Sequence, residues 1–248
     1  MTTSYNKILL TIVVSIICST WVLGQDNDTI NKTDQKGNKQ GFWKKINAEG
    51  RLQYEGQFIN NIPTGTFTYY DSLGNVKAIT KFSDNGKVAN TQLFQKGIKL
   101  SEGEYLNERK NGLWNYYNEN SVLVAQESYV NGVPDGTWKI YYYEGSLLEE
   151  VPYVMGIKEG EWKQYFMDGA VKTKATYKNG KLEGLATFFH PNGRVFISGP
   201  YINNLKNGTW MHFSDKGVTE KREEWVNGYL KKEEYFDKSI ERMVKEEK

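Results

Sequence analysis

The chain alternates short runs of β-favouring residues with turn signals, and the alternation has a fixed period. From Gly136 to Glu159 the sequence reads GTWKIYYYEGSLLEEVPYVMGIKE. One run, Thr137 to Tyr143, meets the turn signal Glu144-Gly145, and a second, Leu147 to Val154, meets Met155-Gly156. Two such runs joined by a short turn predict a β-hairpin. The unit recurs every 24 residues: its first glycine returns at Gly41 and Gly65, then at Gly112, Gly136, Gly160, Gly184 and Gly208. Counting from that glycine, position two holds Trp43, Phe67, Trp114, Trp138, Trp162, Ala186 and Trp210. Position five holds Ile46, Tyr70, Tyr117, Tyr141, Tyr165, Phe189 and Phe213, and position seventeen holds Phe58, Phe82, Tyr129, Tyr153, Tyr177, Tyr201 and Trp225. A second turn falls at position nine, at Gly50, Gly74, Ser121, Gly145, Gly169, Gly193 and Gly217.

The 47 residues from Gly65 to Gly112 hold two units if the second begins near Val88, is one residue short and lacks the leading glycine and tryptophan. Its Gly97 and Tyr105 then take positions nine and seventeen. Eight units thus run from residue 41 to about 230, and a period of this length marks a repeat architecture. Asn-Gly pairs begin at Asn85, Asn111, Asn131, Asn179, Asn192, Asn207 and Asn227, and this dipeptide favours the left-handed backbone of tight hairpin turns. Strands joined so closely pair with their sequence neighbours. The expected fold is all-β: a single-layer antiparallel meander of about eight 24-residue hairpin repeats, elongated and twisted, some sixteen strands spanning roughly 75 Å. If position nine centres each hairpin, position two faces position fifteen. Trp43 then lies opposite Gly56, Trp138 opposite Val151 and Trp162 opposite Ala175, an indole over a small partner, whereas Trp114 and Trp210 face Glu127 and Glu223.

Outside the array the pattern changes. Lys7, the uncharged apolar run from Ile8 to Cys18 and Val22-Leu23-Gly24 have the layout of a secretory signal, so residues 1–24 are read as a signal peptide cleaved before Gln25. Two other fates are open to it. The apolar run through Gly24 is about 17 residues, the lower limit for a membrane-spanning anchor, and Cys18 could be lipidated, although the bulky Ile17 before it disfavours that. The expected location is exported: periplasmic, cell-surface or secreted, with membrane attachment only through such an N-terminus. Residues 25–40 contain one aliphatic residue, Ile30, and no aromatic, and are read as a flexible polar linker. Residues 41–230 form the array and 231–248 a charged C-terminal cap, in which Tyr229 to Phe236 is a charged edge strand and Ile240, Met243 and Val244 share one side of a short helix.

The 32 Lys and Arg residues barely outnumber the 30 Asp and Glu, so no basic footprint points to nucleic acid or an acidic membrane. The two histidines, His190 and His212, have no second ligand at metal-binding spacing, and the single cysteine, Cys18, lies in the signal. No glycine-rich phosphate loop occurs, and the paired carboxylates have no cleft to converge on in a single-layer sheet. The expectation is no catalytic residue, no metal and no cofactor. Aromatics at positions two, five and seventeen belong to the repeat core. Tyr69, Tyr116, Tyr142, Phe166 and Phe188 stand beside those positions and form the candidate binding surface, an exposed stripe able to dock an extended peptide or stack on sugars.

The unit G-x-W-x-x-Y-x-x-x-G-x-L, followed by an aromatic and N-G, resembles the bacterial variant of the MORN (membrane occupation and recognition nexus) repeat. It is carried by Gly112, Trp114, Tyr117, Leu123, Tyr129, Asn131 and Gly132, and again by Gly160, Trp162, Tyr165, Gly169, Val171, Tyr177, Asn179 and Gly180. The resemblance covers roughly residues 41–230 and implies a binding or scaffolding module with a protein partner. With the export signal this places a non-catalytic interaction module at the cell envelope or outside. The alternatives are a protein that binds polysaccharide or cell wall through exposed aromatics, or an antitoxin-like protein if the chain is not exported.

Overall fold

The computed structural model describes residues 30–236. Among them there is no helix; 22 strands form one antiparallel sheet in meander order, the two-residue strands at Val133, Ile157, Lys181 and Leu205 pairing only with the strand before them. The expected signal peptide and the helix proposed beyond Phe236 lie outside the described residues.

Each unit is a hairpin with the expected register. Trp43 faces Gly56, Trp138 faces Val151 and Trp162 faces Ala175, while Trp114 and Trp210 face Glu127 and Glu223. The rings do not rest on those partners alone. A Cβ placed on Gly103 would come within 2.4 Å of the Trp114 ring, and one on Gly199 within 2.2 Å of the Trp210 ring. Both glycines belong to the preceding unit, so the ring leans back across the boundary between units. There the indole N–H also finds an acceptor: Trp114, Trp138 and Trp210 donate to the carbonyls of Glu104, Ser128 and Pro200 at 3.0, 3.0 and 3.1 Å. A small residue below and a carbonyl beside it make the seat, and a buried indole needs both.

The seat depends on a bulge. Before the later hairpins the incoming strand is interrupted, as where Val133–Pro134 pairs with Val130 and Tyr129 and the chain restarts at Gly136; at Gly65 and Gly112 the strand runs on but shifts register. Gly136 and Gly160 have φ of 100° and 110°, a conformation that a side chain disfavours. The seven Asn-Gly pairs accordingly serve different ends. Asn131-Gly132, Asn179-Gly180 and Asn227-Gly228 are two-residue turns with φ positive at both residues, as type I′ hairpins require. Asn111-Gly112 and Asn207-Gly208 instead place the glycine in the bulge, with only the glycine at positive φ.

Adjacent units are stapled at both margins of the sheet. The amides of Gly132, Gly156, Gly180 and Gly228 donate to the carbonyls of Lys110, Pro134, Lys158 and Lys206 at 2.7–2.9 Å. Beside them, the residue just before the bulge glycine caps the next turn: Asn179 and Asn203 amides donate to Glu159 and Glu183 at 2.7 and 3.0 Å. At the opposite margin Asn118 and Asn192 donate to the carbonyls of Tyr143 and Asp215, one turn further on. These bonds satisfy turn groups that would otherwise rely on water.

The linker expectation needs correction within residues 30–40. Lys32–Thr33 forms a strand against Lys39 and Gln40, and Asp34 receives the amides of Lys36 and Asn38 at 2.8 and 2.9 Å. The cause is Trp43, the first ring of the array, which has no preceding unit to lean on. Its N–H donates to the Lys32 carbonyl at 3.1 Å, so the polar segment folds back to supply the missing neighbour. At the other end Tyr229–Tyr235 pairs with the preceding strand as the charged edge strand.

Candidate functional site: a gap in the aromatic ladder

Positions two and fifteen of successive units form one row across a single face of the sheet. In order it reads Trp43, Gly56, Phe67, Thr80, Thr91, Gly103, Trp114, Glu127, Trp138, Val151, Trp162, Ala175, Ala186, Gly199, Trp210 and Glu223. Large and small residues interdigitate along it. The position-seventeen aromatics stand beside this row and clasp its rings. Phe67 lies 5.1 Å from both Phe58 and Phe82, and Trp138 lies 5.5 Å from Tyr129 and 4.7 Å from Tyr153. In three other units a lysine two residues before the bulge glycine covers the ring of the row. Lys39 is 4.8 Å from Trp43, Lys110 4.9 Å from Trp114 and Lys206 4.3 Å from Trp210, distances at which the ammonium interacts with the ring face.

The row loses its aromatic at two places, with different results. At Ala186 the vacancy is closed: Leu182, Trp162 and Trp210 pack against Ala175 and Ala186, and Ala186 is fully buried. At Thr91 it is open. Thr80 and Thr91 are buried and bond to each other through their hydroxyls at 3.1 Å, forming a floor without a ring above it. Over this floor lies an open-faced concavity of about 590 Å³, walled by Pro63, Phe82, Ala89 and Tyr105 and rimmed by Lys87 and Glu108. Phe82 and Tyr105 pack on Phe67 and Trp114 on their outer sides, and between them no ring stands. Lys87 occupies the lysine position of the irregular unit, and among the described residues it covers no ring.

The gap comes from the boundary between units, since the one-residue shortfall falls later, in the two-residue Lys96-Gly97 turn. Strands Val76–Ser83 and Val88–Gln95 pair without a bulge, because Ala89 stands where the bulge glycine would be and the four residues from Asp84 to Lys87 all go into the turn. The backbone therefore has no break to turn a ring across the boundary, and a threonine fills the rung. The opposite face of the same strands has a second concavity, about 600 Å³, lined by Ile79, Lys81, Gln92, Glu102 and Leu113. Elsewhere that face is covered by tyrosines: Tyr70, Tyr117 and Tyr165 donate to Glu55, Glu102 and Glu150 at 2.7, 2.5 and 2.6 Å.

Two carboxylates stand in the aromatic row. Glu127 receives the hydroxyls of Tyr116 and Tyr129 at 2.5 and 2.7 Å, with Lys110 at 3.4 Å. Burial opposes its charge, yet these donors hold its pKa below the ordinary range, and burial together with Glu127 pushes Tyr116 and Tyr129 up. Glu223 is almost fully covered and receives Trp225 Nε1 at 2.7 Å, with Lys221 in contact and His212 Nε2 at 3.2 Å. Burial would raise its pKa, but these donors outweigh it and hold it at about 2. Burial also keeps His212 below its ordinary pKa despite the nearby carboxylate. These are neutralised rungs of the ladder, each charge matched by donors.

The five aromatics singled out in the sequence fall in two places. Tyr69, Tyr116 and Phe188 are on the ladder face, where Tyr69 packs against Tyr54 and Phe67, and Phe188 against Trp210. Tyr142 and Phe166 sit at the position-nine turns, where Asn47, Asp71 and Asn118 bond their own turn amides in other units. Tyr142 there donates its hydroxyl to the Tyr165 carbonyl at 2.8 Å. All five are half-buried. Thr80, Phe82, Lys87, Thr91 and Tyr105 were not among the sequence candidates, although the short unit and its missing tryptophan were the signal for them.

Residues 134–155, 158–179 and 182–203 match the family model of the MORN repeat variant. These three units are MORN-variant repeats. The three matched MORN units are consecutive and regular, and the gap lies outside them, in the part of the array that departs from the consensus. No curated protein matches the chain. Solved structures similar to parts of it include a mutant of S. aureus TarM in complex with fondaparinux, alpha-GlcNAc-glycerol and UDP, at 12% identity and TM-score 0.25, over 48% of this chain and 19% of that one. Another TarM structure gives 13% and 0.24 over 47% and 20%. TcdB2-TccC3 without its hypervariable C-terminal region gives 13% and 0.22 over 77% and 11%. The chain spans a fifth or less of the length of these proteins.

Proposed function

We propose that this MORN array is an exported, non-catalytic interaction module that docks another protein at the cell envelope or outside the cell. MORN repeats are interaction modules. The observation that carries the reading is the gap at Thr91: in a ladder whose neighbouring rings are clasped, one rung is open on the sheet face and walled by Phe82 and Tyr105. The stapled margins support it, because an ordered surface loses less entropy on binding than a mobile one. Export is supported by the signal-like residues Lys7 to Gly24.

Two measurements test the proposal. Mass spectrometry of the native protein should find a mature chain starting at Gln25, and an intact Met1 in a cytoplasmic fraction would remove the export half. Cross-linking in intact cells should trap a stoichiometric envelope or extracellular protein; trapping no protein while the array is retained on purified cell-wall polysaccharide would replace the partner with a glycan.

A further inference from the structure

We propose that the gap at Thr91 is a binding slot for an aromatic side chain of a partner protein, presented on an extended segment. The inference rests on the interaction-module reading and names the chemistry of its ligand. The array itself defines what fits. In regular units the corresponding rung holds an indole or phenyl ring: Phe67 and Trp138 are clasped between two position-seventeen aromatics, and Trp43, Trp114 and Trp210 pack against one and are covered by a lysine 4.3–4.9 Å away. At the gap the same parts stand with the ring absent: the Thr80–Thr91 floor, the walls Phe82 and Tyr105, and Lys87 at the lysine position.

The walls offer ring edges and faces for aromatic packing, and Lys87 offers a cation to a π-face. An apolar aliphatic side chain would fill the space without using either. The space of about 590 Å³ opens along the sheet face and is not enclosed, which suits a ring entering on its own backbone better than a free small molecule. Asn85 at the turn-side rim offers its side-chain amide to that backbone.

Titration of the full-length protein with N-acetyl-tryptophanamide, followed by amide NMR, should give saturable shifts centred on Thr80, Phe82, Thr91 and Tyr105. The expected Kd for one side chain is about 1–10 mM. Thr91→Trp should fill the slot from within and weaken binding at least about tenfold, and Lys87→Met, an exposed change that leaves the fold intact, should weaken it about threefold. N-acetyl-leucinamide should not bind. Absence of shifts, shifts centred on another unit, or undiminished binding by both variants overturns the slot. Tighter binding of free indole than of N-acetyl-tryptophanamide overturns the side-chain assignment. If the slot fails while cross-linking still traps an envelope partner, the module reading stands and only its ligand chemistry falls; if cross-linking fails while the slot binds, the reverse holds.

Discussion

The regular units and the irregular unit beginning near Val88 share the same hairpin, yet they treat one rung of the sheet in opposite ways. In the units from Gly112 and Gly208, a bulge glycine precedes the ring, the ring leans onto Gly103 or Gly199, and exposure falls to 1% for Trp114 and 0% for Trp210. In the irregular unit Ala89 replaces that glycine, the strands pair without interruption, and threonines take the rung. Sheet continuity and ring burial are therefore alternatives at this boundary. A single-layer sheet has no second layer to cover its face, so its stability must come from rings covering their neighbours. Where the rings stop, a concave surface opens. Ala186 shows that losing the ring is not enough to open one, because there Leu182 and the flanking tryptophans close over the vacancy.

The strongest way to break this comparison is to remove a ring from a regular unit. Trp210→Ala should cost about 3–5 kcal/mol in denaturant unfolding, as expected for a fully buried tryptophan. Thr91→Ala, the same rung in the irregular unit, should cost well under half of that. Equal costs would show that the two rungs do not differ.

The next largest effect should come from acid. With its folded pKa at about 2, against 4.5 for the ordinary carboxyl, Glu223 contributes stability that is present above pH 4.5 and lost as pH falls toward 2. That contribution is about 3 kcal/mol in all. His212, held low by burial, acts in the same direction, because the unfolded chain takes up its proton first. Glu223→Gln should flatten the acid limb of the stability curve between pH 5 and 2 by about that amount. The uncharged Thr80–Thr91 rung contributes no such slope, so an unchanged limb in Glu223→Gln would place the acid sensitivity elsewhere.

Turns should give a smaller and more uniform effect. Gly180 has φ of 79° after Asn179 at 49°, and Gly180→Val should cost about 1–3 kcal/mol through backbone strain, with Gly180→Asn closer to neutral. Gly97, at 80° in the irregular unit, should respond alike, since the hairpin is common to both regions. A large difference between the two glycines in thermal unfolding would mean that the irregular unit differs in more than its rung. Smallest of all, Lys206→Met removes an ammonium lying over Trp210 and Trp225 at 4.3 and 4.6 Å and should cost about 0.5–2 kcal/mol. Lys87→Met should leave stability within about 0.5 kcal/mol, because it covers no ring until a partner brings one.

The repeat period, the hairpin, the register of Trp43 with Gly56 and the edge strand at Tyr229 were legible in the sequence because each depends on residues close together in the chain. Glycine and asparagine report local backbone conformation, and alternation reports which face a strand residue occupies. The role of each Asn-Gly pair was less legible. Asn131-Gly132 turns the chain and Asn111-Gly112 bulges it, and the dipeptide alone does not distinguish the two. The five aromatics beside the consensus were expected on one stripe, but position four lies on the ladder face and position six lies in a turn.

By itself, then, the sequence determined an all-β array of MORN-like hairpins with a fault near Val88, since period and turn chemistry are properties of neighbouring residues. Only the tertiary structure decided what the fault does. Ring burial on this sheet is settled between units, by a glycine eleven residues before the ring, a carbonyl beside it and a lysine over it. Alanine at 89 in place of the bulge glycine therefore acts beyond its own place in the chain: it leaves Phe82, Tyr105 and Lys87 arranged around a ring that the chain does not supply.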